Sequence, residues 1–236
     1  GLVRDVTHEN LVEAIVGHQL ARSRAGADAD KIEARKPLMS INQLVAVGIG
    51  PLDLEVHPGE ILGIFGLVGA GRTELLETLF GARRLHSGVI ELAGRRLTLR
   101  DTADAVAAGL ALVPSDRLRS SIFPSMSSLD NMLLPSFARL GRLGIRQRRD
   151  EQNAFSYIAE AMDLQPRLND LEARRFSGGN QQKLVVGRWL QQGQPCSVLL
   201  MDEPTQGVDV GARRDLYDAL RNFSGAGERA VVITSS

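Results

Sequence analysis

Residues 61–73 read Ile61-Leu62-Gly63-Ile64-Phe65-Gly66-Leu67-Val68-Gly69-Ala70-Gly71-Arg72-Thr73, and three physical signals follow one another there without a gap. The first five residues form a continuous apolar run, the pattern of a short strand buried on both faces of a parallel sheet. Gly66, Gly69 and Gly71 then supply a turn whose backbone N–H groups can curl round an anion. Residues 73–79 return to helical spacing, with Leu75, Leu76 and Leu79 on one side. Strand, glycine turn and helix start in direct succession are the context of a phosphate-binding loop, because the helix N-terminus adds partial positive charge. Thr73 is placed to offer a hydroxyl to Mg²⁺, and Arg72 stands where a Lys is expected to reach the phosphates. Arg is larger, planar and forked, so it is no neutral replacement for a compact ammonium. The plainer alternative is a glycine-rich turn with no ligand.

Working outward, residues 38–47 and 51–56 read as strands, the second with Leu52, Leu54 and Val56 alternating before the turn His57-Pro58-Gly59-Glu60. Residues 87–99 suggest a hairpin turning near Ala93-Gly94. Short apolar runs at 110–113, 197–201 and 230–234 read as further buried strands, with a helix around 212–222 between the last two. Strands alternating with helices imply an α/β fold with a parallel sheet. Residues 120–175 look mostly helical, broken at Pro124, Pro135, the glycines of 141–144 and Pro166. Residues 10–20 carry Leu11, Ile15, Val16 and Leu20 at the spacing of a short amphipathic helix, and the charged, alanine-rich stretch 22–36 reads as a linker. The expected division is a linker with a short helix over 1–36 and one domain over 37–236.

Composition excludes several classes. The chain carries 28 Lys+Arg against 28 Asp+Glu, and this balance argues against a dedicated nucleic-acid binder. Its single cysteine, Cys196, excludes an internal disulfide framework and reads as a small buried hydrophobe. Apolar runs such as Val198-Leu199-Leu200-Met201 are far shorter than the roughly 18 residues of a membrane span. No signal-peptide pattern opens the sequence, so a cytoplasmic setting is expected. His8, His18, His57 and His86 are scattered without ligand spacing, so no metal cluster is expected. The locally basic stretch 139–150 reads as a solvated face, with contact to a membrane partner as the sharper alternative.

Two more segments carry chemistry. The apolar run at 197–201 ends in Asp202-Glu203-Pro204-Thr205, and parallel sheets present ligand sites at strand C-termini. Asp202 is a candidate holder of Mg²⁺ through water, and Glu203 a candidate general base that polarises an attacking water. Between the two segments lies the octamer FSGGNQQK (residues 176–183), in which Ser177 opens a helix and Gly178 and Gly179 leave backbone N–H groups uncovered. An ordinary helix cap is the bland reading of Ser-Gly-Gly alone.

Together these segments resemble the Walker A, signature, Walker B and D-loop motifs of ABC transporter ATPases. GLVGAGRTEL, FSGGNQQK and EPTQGVDVGA resemble in particular the second ATPase half of the tandem ATP-binding subunits of bacterial monosaccharide importers of the ribose, galactose, xylose and arabinose type. The likeness extends over residues 11–236, with 10–20 similar to the segment joining the two halves. It implies an ABC-type P-loop ATPase domain with a mixed core sheet, an antiparallel β subdomain and a helical subdomain at about 120–175, cut short at its C-terminus. It further implies ATP and Mg²⁺ as ligands. Gly66, Gly69, Gly71, Arg72, Thr73, Ser115, Ser177, Gly178, Gly179, Asp209 and Ser236 would contact nucleotide, and Thr73 and Asp202 the metal. Implied partners are the first nucleotide-binding half, an integral membrane sugar permease and, indirectly, a periplasmic sugar-binding protein, with no nucleic acid. The setting would be the cytoplasmic face of the bacterial inner membrane.

The sequence also departs from the family pattern. Arg72 is itself typical of the second half. Ser115 stands where ABC ATPases carry the Q-loop glutamine and the nearer relatives a glutamate. Ser236 falls at the switch histidine and has no imidazole to sense a γ-phosphate. Residues 38–56 contain no Phe, Tyr or Trp to stack on adenine, and His57 is the one ring nearby. The own nucleotide site is therefore expected to hydrolyse poorly, while the intact FSGGN segment completes the partner's site. A soluble ABC ATPase of repair or translation and a non-catalytic regulatory domain stay open. A small-molecule P-loop kinase leaves FSGGNQQK unexplained.

Overall fold

The computed structural model describes residues 36–67, 69–141, 145–191, 196–225 and 227–235. The helix expected at 10–20, nearly all of the linker and Ser236 lie outside the described residues. Strands β1 (Met39–Ala46), β2 (Ile49–Val56) and β3 (Ile61–Phe65) lead into helix α1 (Arg72–Leu79). The hairpin β4 (Ser87–Leu92) and β5 (Arg95–Arg96) follows, then α2 (Thr102–Ala108) and β6 (Leu110–Val113). Helices α3 (Arg117–Ser120), α4 (Ser128–Leu133), α5 (Phe137–Leu140) and α6 (Arg148–Ala161) precede α7 (Gly178–Gly187). Strand β7 (Val198–Asp202), α8 (Val210–Gly225) and β8 (Ala230–Ser235) complete the order. No helix among the described residues is long and apolar enough to cross a membrane.

The strands fall into two sheets, one antiparallel in the order β2-β1-β4-β5 and one parallel in the order β3-β8-β7-β6. Strand periodicity divides the parallel sheet between two cores, since successive side chains point to opposite faces. Val198, Leu200, Ala230 and Val232 pack with the antiparallel sheet and with Leu75, Leu76 and Leu79 of α1. Leu199, Met201, Val231 and Ile233 pack on the other face, against residues of α6, α7 and α8. Cys196 is buried as expected, and burial pushes its thiol up to about 12, which keeps it protonated and inert.

One expectation fails. β3 is not buried on both faces: it lies at the sheet edge, and Phe65 is 77% exposed. An apolar run signals a strand, but which strand ends on the edge is decided by the pairing order, which no local pattern carries.

Helix α7 is fastened on both sides. The Lys183 ammonium donates to the Asp215 carboxylate at 2.7 Å and to the Asp163 carbonyl at 2.8 Å. Just past α7, buried Arg188 donates to the carbonyls of Asn131 at 2.8 Å and Ser121 at 2.9 Å, and desolvation lowers its pKa to about 10. In the basic stretch 139–150, Arg148 and Arg149 are exposed, as expected of a solvated face, and Arg146, though half-exposed, is paired. Arg146 forks onto Glu151, donates to Asp130 and lies over the Phe137 ring, so its charge is spent inside the helical region.

Candidate functional site

Parallel pairing sets four strand ends side by side. Phe65 of β3 is level with Ser235 of β8, and Thr234 of β8 with Asp202 of β7. β6 ends beside them at Val113, just before Ser115. The residues at and after these strand ends line a cavity of about 320 Å³, among them Gly69, Gly71, Arg72, Thr73, Ser115, Asp202 and Glu203. Gln206, which the sequence did not single out, joins them.

Gly71 needs to be glycine for two reasons. Its φ of +82° is left-handed, and an added Cβ would come within 3.0 Å of the Gly48 carbonyl in the β1–β2 turn. It also opens α1 without a capping side chain, which leaves the first N–H groups of that helix for an outside acceptor.

Both carboxylates are held by side chains from elsewhere in the fold. Asp202, only 3% exposed, accepts from the Thr73 hydroxyl at 2.8 Å and from the Thr234 hydroxyl at 2.6 Å. Glu203 accepts from Arg72 Nη1 at 2.9 Å and from the Ser235 hydroxyl at 3.4 Å. Its main-chain N–H donates to the Thr234 carbonyl at 3.1 Å, and its φ of +43° is rare for a side-chain-bearing residue. Such backbone strain persists where surrounding contacts over-determine it, and here strand pairing and two side-chain bonds do so. For a divalent cation the donor set fits: Thr73 and Asp202 bring a hydroxyl and a carboxylate oxygen together beside the cavity. Mg²⁺ needs few protein oxygens, because it keeps waters and takes the rest from phosphate.

The signature-like residues form a second cluster. The Ser177 hydroxyl caps α7, accepting from Asn180 N at 3.4 Å and Nδ2 at 3.0 Å, and neither contact spends its own proton. A Cβ on Gly179 would lie 2.7 Å from the Ala212 Cβ and 3.1 Å from Asp209 Oδ2. One on Gly178 would lie 2.7 Å from Arg117 Nη2 and 3.2 Å from the Gly207 carbonyl. Gly179 is thus required by this chain's own packing, whereas the nearest neighbour of a Cβ on Gly178 is the movable end of the Arg117 side chain. Asp209 caps α8, its Oδ1 accepting from Ala212 N at 2.9 Å. Arg117 joins the clusters, donating from Nη1 to the Gln206 carbonyl at 3.0 Å.

The fold therefore gathers Gly69, Gly71, Arg72, Thr73, Ser115, Asp202 and Glu203 in one cavity. It sets Ser177, Gly178, Gly179 and Asp209 apart in another cluster, with Gly66 beneath the Arg72 stem. Ser236 is outside the described residues. His57 sits at the opposite end of β3, its main-chain N–H donating to Glu60 at 2.7 Å and its ring Nδ1 3.5 Å from the same carboxylate. It is no base stacker. Thr234, Ser235, Arg117 and Gln206 were missed. The aligned ends of two apolar strands, one closing in Asp-Glu and the other in Thr-Ser, were the available signal for the first two.

The ABC transporter family model matches residues 49–206. The ribose import ATP-binding protein RbsA of Chromobacterium violaceum is 36% identical over 228 residues, covering 96% of this chain and 44% of that protein. The arabinose import ATP-binding protein AraG of Pseudomonas syringae pv. syringae is 37% identical over 234 residues, covering 98% of this chain and 45% of that protein. The chain thus spans a little under half the length of these relatives. Among solved structures, a nucleotide-free ATP-binding cassette from an ABC transporter superposes with a TM-score of 0.71 at 19% identity, covering 85% of this chain and 82% of that one. A dimeric post-hydrolysis cassette bound to ADP and Pi gives 0.69 at 17% identity, covering 84% and 88%. The family model takes in the glycine loop and the Asp202-Glu203 pair that the strand ends bring to one cavity, and the chain belongs to the ABC transporter family.

Proposed function

We propose that this chain is the nucleotide-binding domain of an ATP-driven monosaccharide importer, and the second of two such domains in its subunit. The domain takes in residues 37–236, with a helical subdomain at about 120–175 and a linker ahead of it. Its partners are the first nucleotide-binding half, an integral membrane sugar permease and, through that permease, a periplasmic sugar-binding protein. Its place is the cytoplasmic face of the bacterial inner membrane. The observation that carries the reading is the convergence of the glycine loop, Thr73, Asp202 and Glu203 on one cavity, apart from the Ser177 helix start. The names of the ribose and arabinose relatives supply the cargo class.

In this reading Gly66, Gly69 and Gly71 shape the loop whose N–H groups bind the phosphates of ATP, and Arg72 adds charge. Thr73 and Asp202 hold Mg²⁺, which when bound neutralises phosphate charge. Glu203 is the candidate general base, and Ser115 lines the cavity wall. Ser177, Gly178 and Gly179 present a helix N-terminus to nucleotide held by the other half, with Asp209 fixing the adjoining turn and Ser236 following Ser235.

Co-expression with the cognate permease and affinity purification in detergent test the assignment. Stoichiometric co-purification with sugar-stimulated phosphate release is expected. A chain that ignores the permease and hydrolyses ATP alone belongs with the soluble ABC ATPases of repair or translation instead.

Base selectivity should be low. The turn that approaches the loop at Gly71 offers Val47, Gly48 and Ile49, none of them aromatic. Stacking a base on an aromatic ring contributes roughly 1–3 kcal/mol in nucleic-acid systems. ATP, GTP and pyrophosphate should therefore compete within a few-fold of one another in a displacement titration. A preference for ATP above ~10-fold contradicts this.

A further inference from the structure

The Arg72 side chain does not point freely into the cavity. Its stem crosses the floor of the glycine loop: a Cβ on Gly66 would lie 3.5 Å from Arg72 Cδ and 3.3 Å from the Ala70 Cβ. Its guanidinium then reaches Glu203 at 2.9 Å, and the two side chains are only 12% and 21% exposed. Glu203 cannot swing away at no cost, because Ser235 holds its other oxygen and its backbone is anchored to Thr234. One cation thus has two claimants. A phosphate drawn to the loop wants the guanidinium, whose planar fork matches phosphate and carboxylate alike. Glu203 already has it.

We propose that the Arg72–Glu203 pair is a latch across the phosphate loop. Phosphate must win the guanidinium from Glu203, and Glu203 is released as a base only as far as that exchange proceeds. Arg72 is then a positioning residue for Glu203 as well as a phosphate contact. This rests on the reading of residues 66–73 as a phosphate site. It adds that Glu203 weakens phosphate binding through Arg72, beyond plain charge repulsion. A compact ammonium at this position would lack the planar fork that matches carboxylate and phosphate alike.

The sign of a double-mutant cycle decides the matter. Pyrophosphate without metal is titrated by calorimetry into the wild-type chain, Glu203→Gln, Arg72→Ala and the double variant, with thermal melts to verify folding. Under the latch, Glu203→Gln tightens pyrophosphate binding at least three-fold, and the gain shrinks when Arg72 is absent. Simple repulsion gives the opposite sign, because a carboxylate without its counter-ion repels phosphate more strongly. A gain equal or larger in the Arg72→Ala background therefore overturns the latch while leaving the phosphate site standing. Absence of pyrophosphate binding in all four folded proteins overturns the phosphate-site reading and the latch with it. Arg72→Lys is the second probe. It keeps the charge without the fork, and the gain from Glu203→Gln should fall below that in wild type. A gain as large as in wild type counts against the latch.

Discussion

Purified alone, the 236-residue chain is expected to release phosphate from ATP at well under ~1 s⁻¹, the low end of ordinary enzyme turnover. Three positions that the family resemblance sets against the terminal phosphate depart from the family pattern. Arg72 is engaged with the candidate base Glu203 across the loop. Ser115 lines the cavity with a short hydroxyl in place of a reaching amide or carboxylate. Ser236 offers no imidazole. Removing one positioned polar group typically costs about 10²–10³ in rate. Losses at three positions acting on the same group leave little. The measurement is phosphate release at saturating ATP with Mg²⁺, with Glu203→Gln as the control for contaminating ATPase. Turnover above ~1 s⁻¹ that disappears in Glu203→Gln refutes the impaired site.

What was legible in the sequence was local. The loop at 66–73 announces itself because strand, glycines and helix are consecutive, and Asp202-Glu203 because a carboxylate pair closes an apolar run. Ser177 as the cap of α7 is likewise written in four successive residues. The partners were not legible, because pairing order supplies them. Thr234 meets Asp202 only because β8 lies between β3 and β7 in a given register. Arg72 meets Glu203 across 131 positions of chain. The same cause hid the edge position of β3, and it hid the close packing of Gly179 on Asp209 and Ala212. Alternation within β7 and β8 divides the two cores, but it shows only once both faces of the sheet are known to be covered. The fold class thus follows from periodicity, while the electrostatics of the site follow from topology.

That packing changes how the division of labour between the two halves is best tested. If this domain lends Ser177 and its helix start to nucleotide held by the other half, damage there should exceed damage at Arg72 in the reconstituted transporter. Gly179→Asp is an ambiguous probe. The new Cβ would meet Ala212 at 2.7 Å and Asp209 at 3.1 Å inside the same chain, so misfit and a like charge arise before any phosphate is involved. Ser177→Asp is cleaner. Ser177 is exposed, and Asp is as good an N-cap as Ser, so α7 keeps its start. What changes is the outward charge: a carboxylate replaces a hydroxyl whose proton is not used in the cap, and it repels phosphate instead of donating to it. Sugar-stimulated phosphate release should fall by ~10²-fold or more in Ser177→Asp, the scale of losing a positioned donor. Arg72→Ala should lower it only a few-fold if, as proposed, Arg72 serves an impaired site. Thermal melts of Ser177→Asp should stay near wild type and those of Arg72→Ala should fall, because Glu203 loses its partner, so melts separate lost chemistry from lost fold. If Arg72→Ala proves the more damaging of the two, the site built on the glycine loop is the working one and the roles argued for the two clusters are reversed.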